Sequence, residues 1–310
     1  MIKEIQGLHH VTSQASHASV NNAFFTKTLG LRRVKKTVNF DAPEVYHLYY
    51  GDEVGTPGSI MTYFPFQQLS RGQHGTGEIS ITEFAVPRGA LGFWKERLAA
   101  QGVSGLTEYS LFGQKRLGFE GPDGDGFALT ESDVRDRMPW ANGDIPEELG
   151  ILGFHGARFC LQDAAATGEL LRFMGYQKDE THGNITRYRI EGGNAADTID
   201  LEELRSSGTS IQGAGSVHHL AFAVENRAAQ KKVRKTLLDT GYQVTAVIDR
   251  DYFWAIYFRS PGGVLFEVAT NEPGFARDED TAHLGEALKL PKRYEPRRAQ
   301  IEEVLPAITA

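Results

Sequence analysis

The chain has 310 residues, of which 40% are hydrophobic, 24% charged and 10% aromatic, and its 33 Lys plus Arg against 40 Asp plus Glu give a formal net charge of −7. The apolar share is ample for packed cores, the length fits about two domains of roughly 150 residues, and the acidic balance excludes a globally basic nucleic-acid binder. A single cysteine excludes a disulfide scaffold and a thiolate zinc cluster. No apolar run approaches the ~18 residues of a membrane span, and the opening MIKEIQGLHH lacks the apolar core of a signal peptide. A cytoplasmic chain is therefore expected.

In chain order, residues 8–12 read as a strand, residues 22–29 as a helix stopping at Gly30, and residues 46–50 and 59–63 as further strands, with a Pro57-Gly58 turn between them. The same grammar follows three more times. Strand 79–86 precedes a helix at 93–101 that stops at Gly102, then the turn Gly121-Pro122-Asp123-Gly124 and strand 127–129. Strand 154–159 precedes a helix at 170–174 that stops at Gly175, then strand 198–201. Strand 217–224 precedes a helix at 233–240 that stops at Gly241, then strand 252–258, a Pro261-Gly262-Gly263 turn and strand 264–268. Each glycine stands where a left-handed C-cap is wanted, with a hydrophobic residue after it. The four glycines are 72, 73 and 66 residues apart, a period that marks a repeated supersecondary unit.

These units predict an α+β fold of four βαβββ modules forming two half-barrel sheets with outer helices. Residues 5–135 would hold the first two modules and residues 150–272 the last two, with a polar linker at 131–150 and a C-terminal tail at 273–310. Short surface helices are expected at 284–288 and 297–305. The basic clusters at 32–36 and 292–293 read as solvated edges, and Cys160, inside an apolar stretch, as a buried inert thiol. No Walker loop, dinucleotide fingerprint, zincin or hydrolase-elbow motif occurs.

The chemistry lies in the histidines. Ten are present, and four form two adjacent pairs, His9-His10 and His218-His219, in the opening strands of the first and fourth modules. Strand alternation would point one member of each pair into the concave side and the other away. Aligning the modules puts His10, Ile81, Gly156 and His219 in one slot. Thr62 or Tyr63, Ala128, Asp200 and Glu267 fall in a second slot on the closing strands. Only the first and fourth modules carry ligand-capable side chains consistently, so His10, His219 and Glu267 are the candidate metal ligands. Glu267 lies in an otherwise apolar strand, where a carboxylate is costly to bury without a cation. Two imidazoles and one carboxylate leave three octahedral positions open, as in Fe(II) sites that take both a substrate oxygen and O2. A fourth protein ligand would favour non-redox work. The two modules carrying the ligands must then face each other across one half-barrel.

The βαβββ repeat, with the segments LHHVT, SVHHLAF and SPGGVLFEVA, resembles the vicinal oxygen chelate (glyoxalase/bleomycin-resistance) superfamily. The stretches 46–52 and 61–66 are similar to its four-module hydroquinone ring-cleaving dioxygenases. The resemblance implies Fe(II), with Mn(II) as an alternative, a small hydroquinone-type or catechol-type aromatic and O2 as reaction partners, and no nucleic acid or membrane; a homo-oligomer is compatible with it. It also implies roles in catalysis for His9, Thr12, His218, Arg250 and Tyr257. Arg250 would stabilise a phenolate, and Tyr257 or His218 would pass protons. His155 reads as structural and Asp200 as a vestige of a ligand. The competing readings are a non-redox glyoxalase-type lyase or isomerase using Zn, Ni or Mn, and a metal-free aromatic-binding resistance module.

Overall fold

A computed structural model describes residues 1–133, 137–141 and 144–308. The first unit comprises β1 (Ile5–Ala15), α1 (Ala18–Ala23), a turn of π-helix over Phe24–Thr28, then β2 (Arg32–Asn39), β3 (Ala42–Gly51) and β4 (Ile60–Pro65). The second has β5 (Glu78–Pro87), α2 (Leu91–Ala100), β6 (Thr107–Leu111), β7 (Gln114–Glu120) and β8 (Gly126–Ser132). The third has β9 (Phe154–Leu161), α3 (Ala165–Phe173), β10 (Gln177–His182), β11 (Ile185–Arg189) and β12 (Thr198–Glu203). The fourth has β13 (Val217–Val224), α4 (Arg227–Asp239), β14 (Ile248–Asp249), β15 (Phe253–Arg259) and β16 (Leu265–Pro273). The fold is α+β, as the repeat predicts.

Gly30, Gly102, Gly175 and Gly241, which end the four helices, have φ of 66°, 71°, 99° and 91°, where a side chain would be strained. One eight-stranded sheet runs β14-β15-β16-β13-β1-β4-β3-β2 and the other β10-β11-β12-β9-β5-β8-β7-β6. The first and fourth units therefore share one curled sheet, joined by antiparallel β1 and β13, while the second and third share the other through β5 and β9. Each sheet takes one unit from residues 5–135 and one from 150–272.

The main core spans both sheets. Phe159 of β9 meets Phe266 of β16 with ring centroids 5.7 Å apart, and Phe25 of the first unit meets Phe127 of β8 at 6.0 Å. The strand residues Phe127, Phe159 and Phe266 bury one face of each sheet, which fixes register because a one-residue slip would expose the whole set. A smaller apolar cluster, including Tyr49, Phe253 and Phe275, lies around the concave face of the first sheet. Cys160 is buried and its thiol is pushed up to about 11 by burial, an inert thiol as expected.

Two readings of the sequence need correction. The segment 32–36 is not a solvated edge: Lys35 is fully buried, its Nζ donating to Asp278 Oδ1 at 2.6 Å and to Glu279. The tail supplies those carboxylates by folding back over β2, and local charge counting cannot see a partner more than 240 residues away. Residues 284–288 are not helical, although α5 (Arg298–Val304) fulfils the second tail expectation. The tail instead clamps the β2–β3 turn, where Arg293 and the Tyr294 hydroxyl both donate to Phe40 O. The expected linker at 131–150 lies partly outside the described residues, and its Ile145 is buried.

Candidate metal centre and substrate cavity

His10 stands on β1, His219 on the antiparallel neighbour β13, and Glu267 on β16, which runs parallel to β13. The three converge from positions 209 and 257 residues apart in sequence from His10. His10 Nε2 lies 3.4 Å from His219 Nε2 and 3.3 Å from Glu267 Oε2, and His219 Nε2 lies 2.8 Å from the same oxygen. All are buried, Glu267 completely.

Despite these approaches, neither Glu267 oxygen makes a well-directed hydrogen bond among the described residues. Orphaned carboxylate oxygens at zero exposure are expensive. Three lone-pair atoms aimed at one point, within 4.8 Å of one another, suit a cation between them. Burial pushes the Glu267 carboxyl up, but the imidazoles of His10 and His219 prevail and hold it well below the carboxylate range. His219 is lowered by burial, which favours its neutral form beside the Glu267 anion. A divalent ion fits this donor set.

The leading histidine of each pair occupies a bulge. In the β1–β13 ladder Leu8 pairs with Phe222 and His10 with Ala221, so His9 is an extra residue. Thr12 pairs with His219 and Ser13 with Val217, so His218 is another. Bulges re-aim side chains, and the strict alternation expected from sequence fails at both. His9 Nδ1 reaches 2.9 Å from His10 Nδ1, and His218 Nδ1 reaches 2.8 Å from His219 Nδ1. His9 Nε2 donates to Thr270 O at 3.1 Å. Burial pushes His9 down to about 3, so it is neutral and its Nδ1 must accept from His10 Nδ1–H. That assigns the other nitrogen of His10, Nε2, as a free lone pair. His218, pushed down to about 4 by burial, can accept from His219 in the same way.

Of the five residues implicated beside the ligands, His218, Arg250 and Tyr257 line a cavity of about 350 Å³ that His10, His219 and Glu267 also border. Tyr257 pairs with Glu267 across β15 and β16. Its phenol is pushed well up by burial and stays protonated. Arg250 Nε donates to Tyr257 Oη at 3.3 Å and Nη1 to Asp41 Oδ2 at 3.1 Å, leaving the Tyr257 proton for another acceptor. His9 and Thr12 stand behind this surface rather than on it.

Thr12 leads to residues that sequence reasoning gave no role. Its Oγ1 lies 2.9 Å from Thr62 Oγ1, Thr62 Oγ1 lies 2.8 Å from His47 Nε2, and His47 Nδ1 lies 2.8 Å from Tyr49 Oη. This four-group chain ends at a phenol on the cavity wall. Burial pushes His47 well down and Tyr49 well up, so both are neutral. Two polar residues at alternate positions on the strand face of 47–49 were the available signal. Thr62, engaged in this chain, is not a fourth strong ligand. Phe64 packs on His47 at 4.3 Å and Phe253 on His10 at 5.0 Å between ring centroids, giving the cavity aromatic walls.

The second sheet answers its own slots differently. A Cβ at Gly156 would meet Thr198 O at 2.2 Å, so no ligand can replace that glycine without backbone movement. Asp200 is no mere vestige: it accepts two bonds from Arg187, both at 2.8 Å. A guanidinium occupies the cation's role there. His155 is buried and pushed down to about 3 by burial, in keeping with a structural residue.

Residues 151–268 match the Glyoxalase/Bleomycin resistance protein/Dioxygenase superfamily. Over 98% of its length the chain is 40% identical to MhqO of Bacillus subtilis (strain 168), a protein whose name assigns it to the ring-cleaving dioxygenases, with 97% of that protein covered. It is 37% identical to the chlorohydroquinone/hydroquinone 1,2-dioxygenase of Sphingobium indicum, over 94% of each chain. A crystal structure from Bacillus subtilis subsp. subtilis str. 168, named as a dioxygenase, superposes with a TM-score of 0.96 at 39% identity and covers 99% of this chain and 98% of that one. Glyoxalase I from Zea mays shares the fold alone, with a TM-score of 0.62 at 13% identity over 86% of this chain and 92% of that one. The chain belongs to the ring-cleaving dioxygenases of the glyoxalase/bleomycin resistance/dioxygenase superfamily.

Proposed function

We propose that this chain is an Fe(II)-dependent dioxygenase that opens the ring of a hydroquinone-type, or catechol-type, aromatic using O2, acting in the cytoplasm. The observation that carries this reading is the convergence of His10 Nε2, His219 Nε2 and Glu267 Oε2 at the head of an aromatic-walled cavity. His10, His219 and Glu267 would hold the metal, which when bound supplies open positions for substrate oxygen and O2 and a path for electron density between them. The competing glyoxalase-type reading lacks support because Thr62 stands hydrogen-bonded to Thr12 and His47 where a fourth ligand would be needed.

The chain's own groups fit the remaining work. Phe64 and Phe253 exclude water and hold a flat ring by edge and face contacts. Arg250, kept cationic by Tyr257 and Asp41 against the opposing effect of burial, stabilises negative charge on a phenolic oxygen. Tyr257, protonated, donates to an oxygen that becomes more basic as the ring opens. His218 Nε2 faces the same space and can donate there while Nδ1 accepts from His219. His9 acts from behind, on the orientation of His10.

The test is anaerobic reconstitution with Fe(II), followed by addition of methylhydroquinone and measurement of oxygen uptake, with His219→Ala as control. Stoichiometric O2 consumption and incorporation of both atoms of labelled O2 into a ring-opened product are expected. No O2 consumption with any hydroquinone or catechol, together with turnover of a thiol hemiacetal, would reverse the assignment in favour of the glyoxalase-type reaction.

A further inference from the structure

We propose that the second half-barrel is a binding site for a small aromatic carboxylate, held by Arg158. Besides Glu78, which accepts from Gly75 N at 2.9 Å at the start of β5, five charged side chains are buried in this sheet: Glu83 on β5, Arg116 on β7, Arg158 on β9, Arg187 on β11 and Asp200 on β12. Three guanidinium groups face two carboxylates, and the neighbouring His155 is kept neutral by burial. Among the described residues of this cluster the charge is therefore one positive unit in excess, in surroundings where unbalanced charge is costly.

The excess can be placed on one residue. Arg187 spends two donors on Asp200 and a third on Gln114 Oε1 at 2.7 Å, and stacks over Phe112. Arg116 donates to Glu83 Oε2 at 3.1 Å and to Leu111 O at 2.7 Å. Thr130 also donates to Glu83 Oε2, at 3.1 Å. Arg116 Nη2 lies 3.9 Å from Asp200 Oδ2 without a hydrogen bond, but Arg158 has two nitrogens in that state. It is only 8% exposed, yet its Nε and Nη2 make no hydrogen bond. The nearest carboxylate oxygen, Glu83 Oε1, lies 3.8 Å from Nη2 and is itself unpartnered.

Arg158 lines a cavity of about 360 Å³ together with Ile81, Tyr109, Gly118, Phe119 and Phe127. Tyr109 stands beside Arg158, and its hydroxyl makes no well-directed hydrogen bond among the described residues, so it offers a second donor. Glu120 stands at the rim and has Arg71 4.0 Å away. Gly118 occupies the register position that Tyr49 holds in the metal-bearing sheet: it pairs with Ala128 as Tyr49 pairs with Thr62. Where that sheet has a tyrosine this one has a glycine, and a Cβ there would meet the Tyr109 ring at 3.3 Å. A guanidinium edge with two free donors matches a carboxylate, one negative charge cancels the excess, and the Ile81, Phe119 and Phe127 wall suits an aromatic body. A dianionic phosphate would overshoot the charge and leave the wall unused.

The probe is 4-bromobenzoate, titrated calorimetrically into the metal-loaded full chain and soaked into its crystals. Because the metal cavity could also take an aromatic carboxylate, His219→Ala and Arg158→Gln are titrated in parallel. Saturable binding should persist in His219→Ala and weaken at least about tenfold in Arg158→Gln, the loss of a charge-assisted contact of ~1.4 kcal/mol. Anomalous diffraction from the bromine of soaked wild-type crystals should place it in the second half-barrel, with the carboxylate on Arg158. That map decides the matter even if Arg158→Gln does not fold. Bromine found only in the metal cavity, no bromine at all, or binding lost in His219→Ala and kept in Arg158→Gln would each overturn the proposal.

Discussion

His9 Nδ1 lies 2.9 Å from His10 Nδ1 while His9 Nε2 is tied to the carbonyl of Thr270. A carbonyl can only accept, so His9 must donate there and accept from His10, and the tautomer of His10 follows. The paired histidines are thus a device for aiming and deprotonating one nitrogen, built on two β-bulges.

Replacing His9 with Ala leaves all three ligands in place but frees His10 to take the wrong tautomer and rotate. Fe(II) affinity, measured by chelator competition, should fall about 10- to 100-fold, the usual cost of losing a residue that orients a ligand. Unchanged affinity would remove the role assigned to His9.

Among the described residues neither Glu267 oxygen makes a well-directed hydrogen bond, and a bound cation would balance its buried charge. Metal added at a hundredfold excess over Kd should stabilise the wild type by about 2.7 kcal/mol, seen as a rise of several degrees in Tm. Glu267→Gln should show no metal-dependent rise.

Tyr49→Phe removes the end of the Tyr49–His47–Thr62–Thr12 chain without altering the wall's shape. If the phenol binds a substrate oxygen, kcat/KM should drop by about 10- to 150-fold, equivalent to ~1.5–3 kcal/mol. Metal affinity should not move, and that separates this residue from His9.

Glu83→Gln tests the buried charge network of the other sheet. Burial raises the Glu83 carboxyl, but Arg116 and its neighbours outweigh this and bring it down to about 2. A carboxylate lowered on folding contributes stability above its unfolded value, and that contribution is lost as pH falls through 4.5 toward 2. The glutamine variant should lose ~3–5 kcal/mol near neutrality and less in acid, as read from denaturant unfolding at each pH.

Asp125 has the opposite sign. It accepts from the Tyr63 hydroxyl at 2.6 Å, yet burial pushes its carboxyl up to about 6. The folded chain therefore holds a proton that the unfolded chain releases near 3.8, and stability declines as pH rises between those values, by up to ~3 kcal/mol. Asp125→Asn keeps an acceptor for Tyr63 and removes the titration. It should be the more stable protein at pH 7 and should lose that part of the slope in Tm between pH 4 and 6.

What the sequence determined by itself was the repeat and its phase. Periodic helices ending at Gly30, Gly102, Gly175 and Gly241 are local, because a backbone at positive φ selects glycine wherever the chain is going. Equal phase then put His10 and His219 in one slot of the repeat and Glu267 in a second, and their convergence follows from topology. Tertiary structure alone decided the rest. The bulges at His9 and His218 depend on how β1 meets β13, and strand alternation read from one segment misses them. Lys35 is buried because Asp278 and Glu279 return from the tail, and His47 acquires its role only when β3 pairs with β4. In each case the deciding contact is between residues far apart in sequence. Local periodicity can announce which face a side chain takes, but only the folded chain shows what it meets there.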